Sequence, residues 1–313
     1  MRLPGLVALC VVILVTAPFI GLTSPADLTE FIFWKIRFPR IVNGLLVGAT
    51  LATAGSAFQA LFQNPLATPS TTGTTAGASL GALVCIVLLP ADWSLIGWAL
   101  VSAAFIGSLI VSVPLALLSD SSTIRTSDIL LAGIGCTLAI GAISTGIQFS
   151  ADMSETYRAV QWSLGTLSNV GYQSTYTLMG PCILSTLGIL SQSRGLIALT
   201  SGEEVAWSQG VDIYSIRRNT LLFASIGVGT CVAQCGPIAF VGLVVPHIIR
   251  LSLGHSGKRV LVWSPFIGGT FLVLCDSIAR IVFSGSELPV GVITAALGAP
   301  MLIGLIWMNR QRR

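Results

Sequence analysis

Charge is the scarcest property of this 313-residue sequence. Only 9% of its residues are Asp, Glu, Lys or Arg, against about 25% in an ordinary soluble domain. With 53% hydrophobic residues and a mean hydropathy of +0.87, there are too few polar side chains to coat a soluble globule of this size. The net charge of +4 is too weak to argue for a nucleic-acid partner. Histidine is limited to His247 and His255. No nucleophile, metal or phosphate constellation stands out, so no catalytic residue, metal site or bound cofactor is assigned. The seven cysteines, Cys10, Cys85, Cys136, Cys182, Cys231, Cys235 and Cys275, all lie in apolar runs without C-x-x-C spacing. They read as small buried hydrophobes, not as a disulfide or metal set. Gly254-His255-Ser256-Gly257-Lys258-Arg259 lacks the G-x-x-x-x-G-K-[ST] spacing of a phosphate loop and reads as a cytoplasmic turn.

What is present is a series of long charge-free runs. A helix needs about 20 mostly apolar residues to cross a bilayer. Splitting the longest runs at Gln63–Ser70 and Cys235-Gly236-Pro237, which are turns by composition, gives ten spans. They fall at about 4–22, 40–62, 72–90, 94–118, 128–149, 172–191, 218–236, 240–253, 261–282 and 288–308. The chain reads as one transmembrane domain over 1–313. A secretory signal over the first 22 residues, ending near Ser24-Pro25-Ala26, is the lesser reading.

Lys and Arg in short loops set orientation. With the N-terminus cytoplasmic, one side holds Arg2, Arg125, Arg194, Arg217, Arg218, Arg250, Lys258, Arg259, Arg310, Arg312 and Arg313. The other holds Lys35, Arg37, Arg40, Arg158 and Arg280. Eleven against five places both termini inside. Charges deep in a membrane mark ion or proton pathways, and here Asp128 and Asp276 are expected only near span ends. Asp276 can pair with Arg280 four residues on. A proton- or sodium-coupled carrier would carry more, so the energy for transport is expected from elsewhere.

Glycines at four-residue spacing, Gly44/Gly48 and Gly73/Gly77/Gly81, suit close helix approach, as ordinary packing more than as a dimer seam. Gly55 precedes Pro65 by ten residues as Gly236 precedes Pro246, and Arg37 precedes Gly55 by 18 as Arg218 precedes Gly236. By the topology above this echo has the arrangement of an inverted repeat. The longest polar stretch, 192–218, has an acidic start at Glu203-Glu204 and a break at Gly210. It suggests two short helices joined by a turn, a docking surface for a cytoplasmic partner or else a solvated loop.

Several blocks resemble one family, in order. They are Ile36-Arg37-Phe38-Pro39-Arg40; Leu46-Val47-Gly48-Ala49; Asn64-Pro65-Leu66-Ala67; Leu130-Leu131-Ala132-Gly133-Ile134; and Trp162-Ser163-Leu164-Gly165. Then come Gly202-Glu203-Glu204 with Gln209-Gly210-Val211; Gly236-Pro237 through Pro246-His247; Asp276-Ser277-Ile278-Ala279-Arg280; and Glu287-Leu288-Pro289-Val290-Gly291. The chain resembles the FecCD-type permease subunits of bacterial iron-siderophore, haem and cobalamin ABC importers (vitamin B12 permease-like), over about residues 34–308.

The resemblance implies an all-α type II ABC importer permease of ten helices, not itself an enzyme, in the bacterial inner membrane. It implies a second permease subunit, identical or paralogous, and two cytoplasmic ATPase subunits carrying ATP and Mg. It also implies a periplasmic or lipid-anchored substrate-binding protein. The cargo it implies is a ferric siderophore, with cobalamin, haem or an oxyanion as alternatives. Gly202, Glu203, Glu204, Gln209, Gly210, Val211 and Arg217 then look like the ATPase-coupling segment. Arg37, Arg40 and Arg280 match arginines that meet glutamates of the binding protein; the plainer reading is that Arg37 and Arg40 anchor a helix end. The path, by analogy along 128–170, offers Thr137, Ser144, Gln148 and Trp162. Two departures stand out: Pro69–Thr75 is unusually threonine-rich, and 118–126 carries one basic residue, Arg125. A secondary transporter or channel, and a membrane-embedded enzyme, are the competing classes.

Overall fold

The computed structural model describes residues 3–21, 29–90, 96–119, 125–168, 171–283 and 287–310, and every regular element among them is helical. Arg2, Leu22, the Ser24–Ala26 stretch, Ser94, Leu95, Arg312 and Arg313 lie outside the described residues. The ten expected spans correspond to α1 (Leu3–Thr16), α2 (Phe38–Leu61), α3 (Thr74–Leu88), α4 (Ile96–Leu118), α5 (Thr126–Ser150), α7 (Tyr172–Ser191), α10 (Ile213–Cys235), α11 (Val241–Leu253), α12 (Gly257–Ala279) and α13 (Val290–Arg310). Between them lie α6 (Met153–Ser163), α8 (Ser193–Leu199) and α9 (Glu203–Ser208). Among the described residues, four helices (α2 with the π-helical turn Ile32–Arg37 before it, α4, α5 and α12) are long and apolar enough to cross a membrane alone. A fifth forms if α7 and α8, bent by 55°, count as one span.

The ends follow local chemistry. Pro39 sits where the π-helical turn Ile32–Arg37 passes into α2, the two running on as one helix. Asp212 caps α10 by accepting the Ser215 backbone N–H at 3.2 Å. Asp152 and Glu155 form a capping box on α6, a pattern that satisfies otherwise orphaned N–H groups.

Two helix triplets build the core. Long α2 leads through residues 62–73 to short α3 and then α4; long α10 leads through 236–240 to short α11 and then α12. α2 packs on α11 and α12, while α10 packs on α3 and α4, which is the cross-pairing of an inverted repeat. The residue spacings noted in the sequence do not align the halves: Gly55 lies inside α2, whereas Gly236 ends α10 in a left-handed conformation. The repeat is one of helices, not of that echo.

The four-residue glycine spacings are packing within one chain. A Cβ at Gly48 would strike the Gly268–Gly269 backbone, and one at Gly55 would strike Gly242. Gly77 faces Gly107 and Gly81 faces Ala103 in the same way, across α3 and α4. Small residues here let backbones touch, which is how membrane helices gain contact without a hydrophobic driving force. All seven cysteines are free and six are buried. α5 is the exception to this density: only Thr126, Ile129 and Gly133 are buried along its 25 residues.

Candidate functional site

At the end of α2 opposite the 192–218 segment, three arginines meet. Arg37, Arg40 and Arg280 are only 6%, 6% and 3% exposed, so they do not stand outward as free charges. Arg40 donates to both oxygens of Asp276, from Nε at 3.0 Å to Oδ2 and from Nη2 at 2.9 Å to Oδ1. Its Nη1 donates to Glu287 at 2.6 Å. Arg280 pairs with Asp276 at 3.3 Å, as its position four residues on suggests, and donates to the Ile20 carbonyl at 2.9 Å. Arg37 donates to the Pro18 carbonyl at 2.6 Å. The physical reason is the 3-10 turn Ala17–Phe19 that follows α1: the carbonyls of Pro18 and Ile20 at this helix end need donors, and two arginines supply them. Glu287, with a side chain 37% exposed, is the accessible charge of the group.

Three of the sequence blocks converge nearby. Gly165 and Gly236 both adopt φ near +70°, and a Cβ on either would strike the other's segment, at Pro237 and Trp162 respectively. A Cβ on Gly291 would strike the Leu164 carbonyl, and the Gly291 N–H donates to the Gly165 carbonyl at 3.2 Å. Only glycine combines that approach with that backbone.

At the opposite face, the segment 192–218 forms two short helices, as expected. The break between them lies at Thr200-Ser201-Gly202, not at Gly210, which instead turns the chain into α10. Gly202 and Gly210 hold φ of +112° and +75°. The outward side of α9 carries Glu204, Val205 and Trp207, with Gln209 and Gly210 just beyond, all exposed. Trp207 meets Tyr214 edge-on, 6.1 Å between centroids. Val211 is half-buried. Arg217 is not part of that surface. It is 2% exposed and donates to Thr126 Oγ1 at 2.7 Å and to Glu203 at 3.3 Å. Thr126 in turn donates to the same Glu203 oxygen. Arg217 therefore fastens α9 to the starts of α5 and α10. Asp212, at the start of α10, lies below the ordinary carboxylate range, because the Ser215 hydroxyl and backbone N–H both donate to it.

Of the four path candidates, three come together. Ser144, Gln148 and Trp162 line a small cavity of about 60 Å³ with Ser79 and Ser163, between α3, α5 and α6. Thr137 is elsewhere on α5, its hydroxyl donating to the Gly133 carbonyl at 2.9 Å. The open side of α5 presents Leu131, Leu138 and Phe149, 70%, 70% and 94% exposed.

A larger cavity, about 320 Å³, lies between the two repeat connections. Thr68, Ser70, Thr71 and Thr75 line one wall, and Pro237, Ile238 and Phe240 another. Phe240 holds φ +67°, unusual for a residue with a side chain. The threonine-rich run was visible in the sequence; that it faces a cavity depends on residues about 170 positions away.

A family model described as the FecCD transport family matches residues 6–308. The vitamin B12 import system permease protein BtuC of Salmonella paratyphi A is 35% identical over 278 residues, covering 88% of this chain and 84% of that protein. Its counterpart in Citrobacter koseri is 35% identical over 282 residues, covering 90% and 84%. A solved structure assigned as a metal-chelate type ABC transporter, in an inward-facing conformation, superposes with a TM-score of 0.87. It is 27% identical and covers 97% of this chain and 98% of its own.

Proposed function

The chain belongs to the FecCD transport family, and from that premise we propose that it is the membrane-spanning permease of an ATP-driven importer of preformed metal chelates. A ferric siderophore is the first candidate cargo; cobalamin, the compound in the names of the B12 relatives, is the second. The observation that carries the reading is the rigid mounting of α9. Its exposed face is joined through Glu203, Arg217 and Thr126 to two long helices, so a push on α9 is transmitted to α5 and α10.

In this account two cytoplasmic ATPase subunits dock on α8 and α9, and they bind ATP and Mg; this chain performs no hydrolysis. A second permease, identical or paralogous, completes the path. The open side of α5 and the Ser144–Gln148–Trp162 group line that path. The chain lies in the bacterial inner membrane with both termini cytoplasmic, the orientation favoured by the excess of basic residues on the α9 side. A substrate-binding protein docks on the arginine-rich face. Because Arg37, Arg40 and Arg280 are already engaged, docking through them requires partner carboxylates to displace Glu287 or the carbonyls of the turn after α1. Paired charges of this kind orient a partner more than they add affinity.

The test is reconstitution with the ATPase and candidate binding proteins, screening ATPase stimulation by ferric siderophores, ferric citrate, haem and cobalamin. Stimulation by one chelate with its binding protein is expected. Turnover by this subunit alone, without the ATPase, would refute the reading.

A further inference from the structure

A third cavity, about 240 Å³, lies on the α9 side of the molecule, among the ends of α2 and α11, the start of α12 and the turn between α8 and α9. Its polar lining includes Gln59, Gln63, Thr200, Arg250 and His255, and among the described residues no acidic one lines it. Arg250 donates one bond, from Nη1 to Gln59 at 2.7 Å. Among the described residues no carboxylate pairs with it. His255 and the Gln63 amide have no partner among the described residues either. The Thr200 hydroxyl is spent on the Ile197 carbonyl at 2.6 Å, so it forms wall, not donor. Gln63 is held at φ +47°, an uncommon conformation for a residue with a Cβ.

A half-buried guanidinium without a counter-charge is costly, and Arg250 is the half-buried one of the three donors, His255 and Gln63 being exposed at the mouth. The three line one concave space in which Gln59 accepts a single bond from Arg250 and no carboxylate is found among the described lining residues. Arg40, Arg280 and Arg217, which are buried, each reach a carboxylate, at Asp276 or Glu203. We propose that this cavity is a binding site for a phosphate-type oxyanion, held by the guanidinium of Arg250 with His255 and Gln63. A guanidinium presents paired N–H groups that match phosphate oxygens. The ligand is either free phosphate or the phosphate of an anionic lipid headgroup, since both present the same oxygens. Because Thr200 belongs to the turn before α9, an occupant would also bias the coupling segment. That consequence rests on the coupling role proposed above; the binding itself does not.

The experiment uses the intact importer complex in nanodiscs of phosphatidylcholine. Inorganic phosphate is titrated against chloride at constant ionic strength, and the unfolding midpoint is followed by tryptophan fluorescence. Phosphate is expected to raise the midpoint saturably. Arg250→Gln should weaken the effect at least tenfold, Arg250→Lys and His255→Gln less. The ATPase subunits also bind phosphate, so the difference between wild type and Arg250→Gln is the readout, and size-exclusion chromatography confirms equal assembly. In a second arm without free phosphate, nanodiscs contain phosphatidylglycerol, and native mass spectrometry counts retained lipid. Retention by wild type but not by Arg250→Gln would support the site and assign its ligand as lipid. The proposal is overturned if neither arm separates the two proteins. It is also overturned if Arg250→Gln disrupts assembly with the ATPase while phosphate has no effect, because a partner carboxylate would then be the occupant.

Discussion

Replacing Asp276 by Ala separates two views of the arginine-rich face. Arg40 directs three nitrogen–oxygen contacts of 2.9–3.1 Å at this carboxylate, and the side chains are 7% and 4% exposed. Removing one partner of such a buried pair costs about 3–5 kcal/mol. Arg280 leans on the same carboxylate, so Asp276→Ala should fall toward the upper half of that range. Glu287 is 37% exposed, and its removal should cost no more than about 1 kcal/mol after solvent screening. Asp276→Asn, which keeps one acceptor oxygen, should lie between them. The assay is a denaturant titration of the detergent-purified chain followed by tryptophan fluorescence, with binding-protein affinity measured separately on the complex. If the arginines are first an anchor for α1 and α12, the stability order is Asp276→Ala, then Asp276→Asn, then Glu287→Ala. Equal stability of Asp276→Ala and wild type, with only binding-protein affinity reduced, would refute that reasoning.

Arg217→Ala should free α9 from Thr126 and Glu203, so that ATP is hydrolysed with less chelate moved per ATP. The ratio of uptake to hydrolysis measures this, and an unchanged ratio would remove Arg217 from the coupling route. Gly55→Leu should prevent α2 from packing on α11, because even a Cβ strikes Gly242. Loss of folded protein by size-exclusion chromatography is expected, and a well-folded Gly55→Leu chain would contradict the packing described. Ser144→Cys and Gln148→Cys should react with a membrane-impermeant thiol reagent at rates that change between nucleotide-free and ATP-bound complex, whereas Thr137→Cys should not. Equal, nucleotide-independent rates at all three would take the cavity beside Trp162 out of the path.

The ten helices were legible because each lies in an apolar, charge-poor run, although α1, α3 and α11, at 14, 15 and 13 residues, are shorter than a full span; the turns at Gln63–Ser70 and Gly236-Pro237 carry their own chemistry. The two short helices within 192–218 were legible for the same local reasons, although Gly202 rather than Gly210 divides them. The burial of Arg37, Arg40 and Arg280 was not. It depends on carbonyls of the turn after α1, up to 263 residues away in sequence, and nothing local distinguishes an arginine facing a partner from one facing a helix end. Arg217 was grouped with the coupling surface because it follows α9 closely in sequence; its burial against Thr126 is a tertiary fact. The glycine spacings announced close packing without naming the partners. The uncompensated charge of Arg250 was invisible because pairing cannot be counted until the chain is folded.

Uptake of radiolabelled chelate into proteoliposomes tests the central claim most directly, with this permease assembled with its ATPase subunits and binding protein. The account predicts accumulation that requires ATP inside the liposomes' cytoplasm-equivalent compartment and the binding protein on the other side, and that stops when either is omitted. Equilibrative uptake of the same chelate by liposomes holding the permease without ATPase subunits would contradict it.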